Sequence, residues 1–137
     1  MTNYEKPIPN PTMETQPFWD YCKKNELRMQ KCAQCSYIRF PASIVCPKCH
    51  SMNAEWVKLS GKGKVFSFST VRYLYYKAFS NDIPYAVASI ELEEGPRMLS
   101  NIIGCEVEDI KIDMPVEVQF EHITDEFALP KFKPRMF

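Results

Sequence analysis

Two Cys-x-x-Cys pairs, Cys32-Ala33-Gln34-Cys35 and Cys46-Pro47-Lys48-Cys49, stand ten residues apart. A Cys-x-x-Cys turn aims both sulfurs at one point, so each pair supplies half of a tetrahedral thiolate cage. Zinc suits such a cage because it is borderline soft and has no d-electron geometric preference. The separation is shorter than the usual zinc-ribbon template, but two tight knuckles need only a short hairpin between them. Tyr37-Ile38-Arg39-Phe40 reads as one arm of that hairpin, ended by Pro41. Four protein sulfurs leave no open coordination position, and a catalytic zinc needs one. The expected centre is therefore a structural staple. His50, directly after Cys49, reads as a solvent-facing non-ligand. Iron held by the same four thiolates, as in rubredoxin-like centres, is the rival metal, and the residues alone do not separate the two.

Other reactive residue types find no company. Cys22 has no histidine near it in sequence and reads as a small packing residue. His122 falls at the end of a predicted strand, where a lone histidine is a surface residue. There is no nucleophile–base pair and no pair of carboxylates in one strand. Ser60-Gly61-Lys62-Gly63 superficially resembles a phosphate loop, but the Gly-Lys-Ser/Thr ending and the following helix are missing. It reads as a tight turn between strands.

The elements that must hold these groups follow from pattern. Pro7, Pro9 and Pro11 alternate in an extended, solvated opening, either a disordered tail or an arm lying on a partner. Thr15 or Gln16 can cap a helix of two or three turns with Pro17 in its first position and Lys23-Lys24 at its close. Phe18, Trp19, Tyr21 and Cys22 make that helix aromatic over more than one face. One side is expected on the ribbon, and the other has no obvious cover. Strands are predicted at Leu27–Lys31, Glu55–Leu59, Lys64–Tyr73, Tyr85–Leu92, Arg97–Ile103, Val116–Glu121 and Phe127–Pro130. Between the third and fourth, Leu74–Asp82 carries Tyr75, Tyr76 and Phe79 with no regular period. Val116, Val118 and Phe120 face in while Glu117, Gln119 and Glu121 face out.

The chain has 137 residues and formal net charge zero, 17 cations balancing 17 carboxylates. Neutrality argues against a general nucleic-acid surface. The length allows a modest core, to which a bound metal adds folding free energy. Four of the six cysteines are accounted for by ligand spacing, and no apolar run approaches membrane-spanning or signal-peptide character. A soluble protein of the reducing cytoplasm is expected. The fold class expected is mainly β: an arm and helix over residues 1–31, a rubredoxin-like zinc ribbon over 32–56, and a five-stranded OB-type barrel with a C-terminal tail over 57–137. An SH3-like barrel is the alternative.

The ordered series Cys-x-x-Cys, Arg39-Phe40-Pro41, Cys46-Pro47-x-Cys49, Glu55-Trp56 and Ser60-Gly61-x-Gly63-x-Val65-x-Ser67 continues with Pro84-Tyr85-x-Val87, Glu91-Leu92-x-Glu94-Gly95-Pro96-Arg97 and Gly104. Met114-Pro115-Val116 and Leu129-Pro130-x-Phe132-x-Pro134 close it. Over nearly the whole chain after residue 15, this resembles the zinc-ribbon plus OB-fold family catalogued as domain of unknown function thirty-five, the acyl-CoA-associated proteins. Ser36 and His50 depart from the family's usual glycines after each knuckle, positions that often take left-handed backbone. The resemblance implies an accessory subunit without activity of its own. It would dock on a thiolase-like enzyme and help enclose an acyl-CoA thioester. On that implication Lys62, Lys64, Arg72, Lys77, Lys131, Lys133 and Arg135 are candidates for the coenzyme A phosphates. Tyr75, Tyr76 and Phe79 would wall the pantetheine arm or the partner. Independently of the resemblance, the uncovered aromatic side of the helix marks Phe18 and Trp19 for a protein or ligand contact. Single-stranded nucleic-acid binding and rubredoxin-like electron transfer are the rival classes.

Overall fold

The computed structural model describes residues 6–135. The first five residues of the expected arm, and Met136 and Phe137 of the expected tail, lie outside the described residues. Helix α1 spans Gln16–Lys23, with Pro17 in its first turn, where a missing N–H costs nothing. Thr15 makes no side-chain cap; its Oγ1 instead accepts from the Thr12 N–H at 2.8 Å. The helix stops at Asn25, which takes left-handed backbone (φ 63°). Its neighbour Glu26 donates its N–H back to the Tyr21 carbonyl at 3.0 Å.

Phe18 and Cys22, one turn apart, are buried in the core. The helix side expected to lack cover is covered by the barrel. Trp19 meets Phe127 edge-on at 6.3 Å between centroids, while Tyr21 lies against Trp56 on the ribbon side.

Strands β1 (Arg28–Cys32), β2 (Ile38–Arg39) and β3 (Ala54–Lys58) form a sheet in the order β2-β1-β3. The hairpin differs from the one expected. β2 pairs back onto β1 with Gln30 opposite Arg39, so the first knuckle is its turn and residues 42–45 form no second arm. Each knuckle must reverse the chain tightly, and the strand ahead of the first is the nearest available edge. Pairing of Arg28 with Lys58 extends this sheet beyond the 32–56 span at both ends. Arg39 is buried at 4% exposure: its Nε donates to Gln30 Oε1 at 3.0 Å and an Nη2 hydrogen to the Ser43 carbonyl at 2.9 Å.

The remaining strands are β4 (Lys62–Val71), β5 (Tyr85–Leu92), β6 (Arg97–Ile102), β7 (Pro115–His122) and β8 (Ala128–Pro134). They close as β4-β5-β6-β8-β7, and β7 returns to β4 through Lys62 opposite Glu117. All contacts are antiparallel except β6 with β8. This is a five-stranded OB-fold barrel, and closure removes the bare sheet edges. Ser60–Gly63 is not a turn between paired strands, because β3 and β4 belong to different sheets. It carries the chain from ribbon to barrel. Gly63 is required there by close approach: a Cβ would lie 2.5 Å from the Glu91 carbonyl oxygen on β5.

Along β5, Ala86, Ala88, Ile90 and Leu92 point inward on the period of two. They join Val65, Met98, Ile102, Val116 and Phe132, the last being the largest fully buried side chain. Burying a large apolar side chain contributes about 1.5–3 kcal/mol. Phe18, Cys22, Leu27 and Met29 belong to the same cluster, so ribbon, helix and barrel share one core. β8 is longer than the strand expected at residues 127–130. Lys131 and Lys133 alternate with Phe132 on this strand rather than lying in a tail.

Candidate functional site

The two knuckles are built alike. The Cys32 N–H donates to the Tyr37 carbonyl at 2.8 Å and the Cys46 N–H to that of Ser51 at 2.9 Å. Ser36 and His50 then donate back to the Cys32 and Cys46 carbonyls, each at 3.0 Å. Both take left-handed backbone, φ 66° and 65°. These turns gather the ligand atoms of Cys32, Cys35, Cys46 and Cys49 within 4.8 Å of one another. Across the knuckles Cys32 Sγ lies 3.5 Å from Cys49 Sγ, and Cys35 Sγ 3.6 Å from Cys46 Sγ. Four thiolates at about 2.3 Å from one ion would be spaced by ~3.8 Å, so the cage fits a tetrahedral metal. His50 is not among the clustered ligands.

The thiols also differ in how readily they ionise. The Cys35 N–H, with that of Gln34, draws the Cys32 thiol down to about 6. The Cys49 N–H lowers Cys46 in the same way. The Ser51 N–H pulls on Cys49 too, but burial and the sulfurs of Cys32, Cys35 and Cys46 outweigh it and push that thiol up to about 12. Four thiolates in this space need a cation to coexist. A zinc ion held by Cys32, Cys35, Cys46 and Cys49 would supply that charge and tie the knuckles together.

Elsewhere burial pushes the Cys22 thiol up to about 12, which suits packing and not attack. His122 Nε2 lies 2.7 Å from Asn25 Oδ1, on the surface at the end of α1. Among the described residues no helix is long and apolar enough to cross a membrane.

The candidate contact residues fall in separate places. Phe18 is buried, 5% exposed, and lines a cavity together with Trp19 and Lys131. Between β4 and β5, Tyr75 (80% exposed) and Tyr76 point outward, while Phe79 packs against Tyr85 at 5.9 Å. Of the cations, Lys131 pairs with Glu121 at 2.5 Å, Lys133 with Glu117 at 3.9 Å and Arg72 with Glu108 at 3.5 Å. Lys64 pairs with Glu91 and Asp113, and Arg135 with Glu93. Lys62 and Lys77 have no carboxylate within 4.0 Å among the described residues.

Phe66 and Phe68, exposed on the outer face of β4 with the Arg97 guanidinium 3.7 Å from the Phe66 centroid, were not anticipated. The signal was present: they share one parity of the strand, opposite to Val65. Nor was the cavity between helix, ribbon and barrel, because its walls come from four distant segments.

Residues 19–53 match the model of the ChsH2 rubredoxin-like zinc ribbon domain, and residues 56–121 that of the ChsH2 C-terminal OB-fold domain. A DUF35 domain-containing scaffold protein of Methanocaldococcus jannaschii is 42% identical over 97 residues, 70% of this chain and 68% of that one. This chain belongs to the DUF35 family. A solved DUF35 structure, described as an Ltp2-ChsH2(DUF35) aldolase, superposes with TM-score 0.85 at 32% identity, covering 93% of this chain and 98% of that chain. Among curated relatives, a probable enoyl-CoA hydratase alpha subunit of Thermomonospora curvata is 36% identical over 118 residues, 85% of this chain. The chain spans 36% of that relative's length. The benzoylsuccinyl-CoA thiolase subunit BbsA of Geobacter metallireducens is 33% identical over 92 residues, 67% of this chain and 60% of that one.

Proposed function

We propose that this DUF35 chain is a non-catalytic accessory subunit that docks on a thiolase-like acyl-CoA enzyme and helps form its acyl-CoA site, with a structural zinc in the ribbon. The observation that carries this reading is the likeness, over 93% of the chain, to the DUF35 chain of an aldolase described by two components. A thiolase subunit among the relatives gives the partner class. The molecule itself supports the non-catalytic part: its four-sulfur cage keeps no ligand position open, Cys22 is an inert buried thiol, and His122 is engaged by Asn25. None of the six cysteines is in a disulfide, which suits the cytoplasm. Exposed Tyr73, Tyr75, Phe66 and Leu99 offer aromatic and apolar area for a partner.

The test is capture of the tagged chain from its native cell, identification of what comes with it, and assay of both against acyl-CoA thioesters. A thiolase-like enzyme whose turnover requires both chains is the expected result. Full turnover by the captured enzyme alone refutes the accessory role, as does metal-dependent thioester turnover by this chain alone. Metal analysis of the same preparation is expected to give one zinc per chain; a red, iron-bound, redox-active protein would favour electron transfer instead.

A further inference from the structure

The barrel is weakly sealed along one seam. β6 and β8 meet as a parallel pair at one register position, Ile102 opposite Phe132. The Ile103 N–H donates to the Phe132 carbonyl and Ser100 Oγ to the Pro130 carbonyl, both at 2.7 Å. Two cavities, of about 310 and 610 Å³, lie along this seam and share Asn101, Leu129 and Lys131. Walls of the smaller are apolar: Phe18 and Trp19 of α1, Phe40 beyond β2, Met98 and Leu99 of β6, and Leu129 of β8. The larger is more polar and contains Lys6, Asp82, Gly104 and Glu106. Its ammonium groups are neutralised, Lys131 by Glu121 and Lys6 by Asp82.

We propose that this seam binds a neutral acyl thioester, its apolar acyl group between Phe18, Trp19, Phe40 and Met98 and its amide-bearing arm running past Asn101 into the larger cavity. The inference rests on the acyl-CoA reading above and goes beyond it by assigning the place and the part of the ligand held. Both cavities fall within the ~300–1,000 Å³ range of small-molecule sites. The smaller, at about 310 Å³ with mostly apolar walls, suits a medium-length or aromatic acyl group. Asn101 donates through Nδ2 to the Ala86 carbonyl at 2.8 Å, which leaves Oδ1 to accept from a ligand amide N–H. Paired lysines make a poor phosphate site, so the nucleotide end stays outside the seam.

The probe is S-octanoyl-N-acetylcysteamine, which carries an acyl group, a thioester and an amide but no charge. Calorimetry on the unsubstituted chain is expected to show saturable binding. Emission from Trp19, isolated in a Trp56→Phe chain, is expected to shift to the blue. Leu99→Glu places a charge on a side chain that is 71% exposed, which spares the core, and is expected to weaken binding at least tenfold. Free coenzyme A, lacking the acyl group, is expected to give no saturable signal. The proposal is overturned by absence of saturable binding both alone and in the complex with the captured enzyme. Equal binding by Leu99→Glu, or equal binding of coenzyme A, overturns it too. Capture of a thiolase-like enzyme without probe binding sinks the seam assignment and leaves the accessory role standing.

Discussion

Ser36 and His50 each stand one position past the second cysteine of a knuckle, and each holds left-handed backbone. That conformation is needed to send the N–H back to the first cysteine's carbonyl, and it costs a side chain with a Cβ about 1 kcal/mol or more. Glycine removes the strain and returns part of the gain through a freer unfolded chain. His50→Gly and Ser36→Gly are therefore each expected to raise the thermal midpoint by about 2–5 °C, read by circular dichroism of the metal-loaded protein. A lower midpoint in both would show that these side chains make contacts worth more than the strain. The cluster of four cysteines was legible from spacing alone, because a knuckle is a local object, whereas the two left-handed positions were marked by the family resemblance. Arg39 was legible only as part of a motif. Its burial, and the two acceptors that hold it, depend on Gln30 and Ser43, which no local pattern marks.

At the scale of elements, strands announced themselves where one face is buried and one is wet. Tyr85–Leu92 matches its expected bounds residue for residue, since four inward side chains alternate with outward ones. Pairing was harder to read. β2 is two residues long and takes its partner across a knuckle, and β8 runs on from Pro130, where the expected strand ended, to Pro134. Pro130 is tolerated because its carbonyl faces β6, where Ser100 Oγ meets it. Its missing N–H falls on that seam too, and no bond to β7 is lost. The ribbon sheet is small and held at one end by the sulfur cage, so the metal should matter to the whole unit. Structural zinc binding is worth about 10–16 kcal/mol in small zinc-finger peptides. Stripping the ion with 1,10-phenanthroline, or Cys46→Ser, is expected to lower the thermal midpoint by more than about 10 °C. An unchanged midpoint after verified metal loss would show that the centre is not structural.

Over the whole molecule, charge is balanced locally as well as in total. Lys64, Lys131, Lys133 and Arg72 each face a carboxylate on a neighbouring element, so among the described residues these four do not make an unpaired cationic stripe. OB barrels that hold single strands need such a stripe beside their aromatics. A fluorescent oligothymidylate is accordingly expected to bind no tighter than about 10⁻⁴ M at physiological salt, measured by anisotropy. Micromolar binding that falls steeply with salt would restore the nucleic-acid reading. The cavity along the β6–β8 seam was invisible in the sequence, because residues 18–19, 40–42, 98–101 and 129–131 meet only after the barrel closes on the helix. That closure has a consequence for inheritance. Phe18, Leu27 and Met29 are packed into the same interior as Val65 and Phe132. A recombination breakpoint near Leu59 would thus leave greasy surfaces bare on both products. Lineages that shuffle or fuse these parts should transmit helix, knuckles and barrel as a single inheritable cassette.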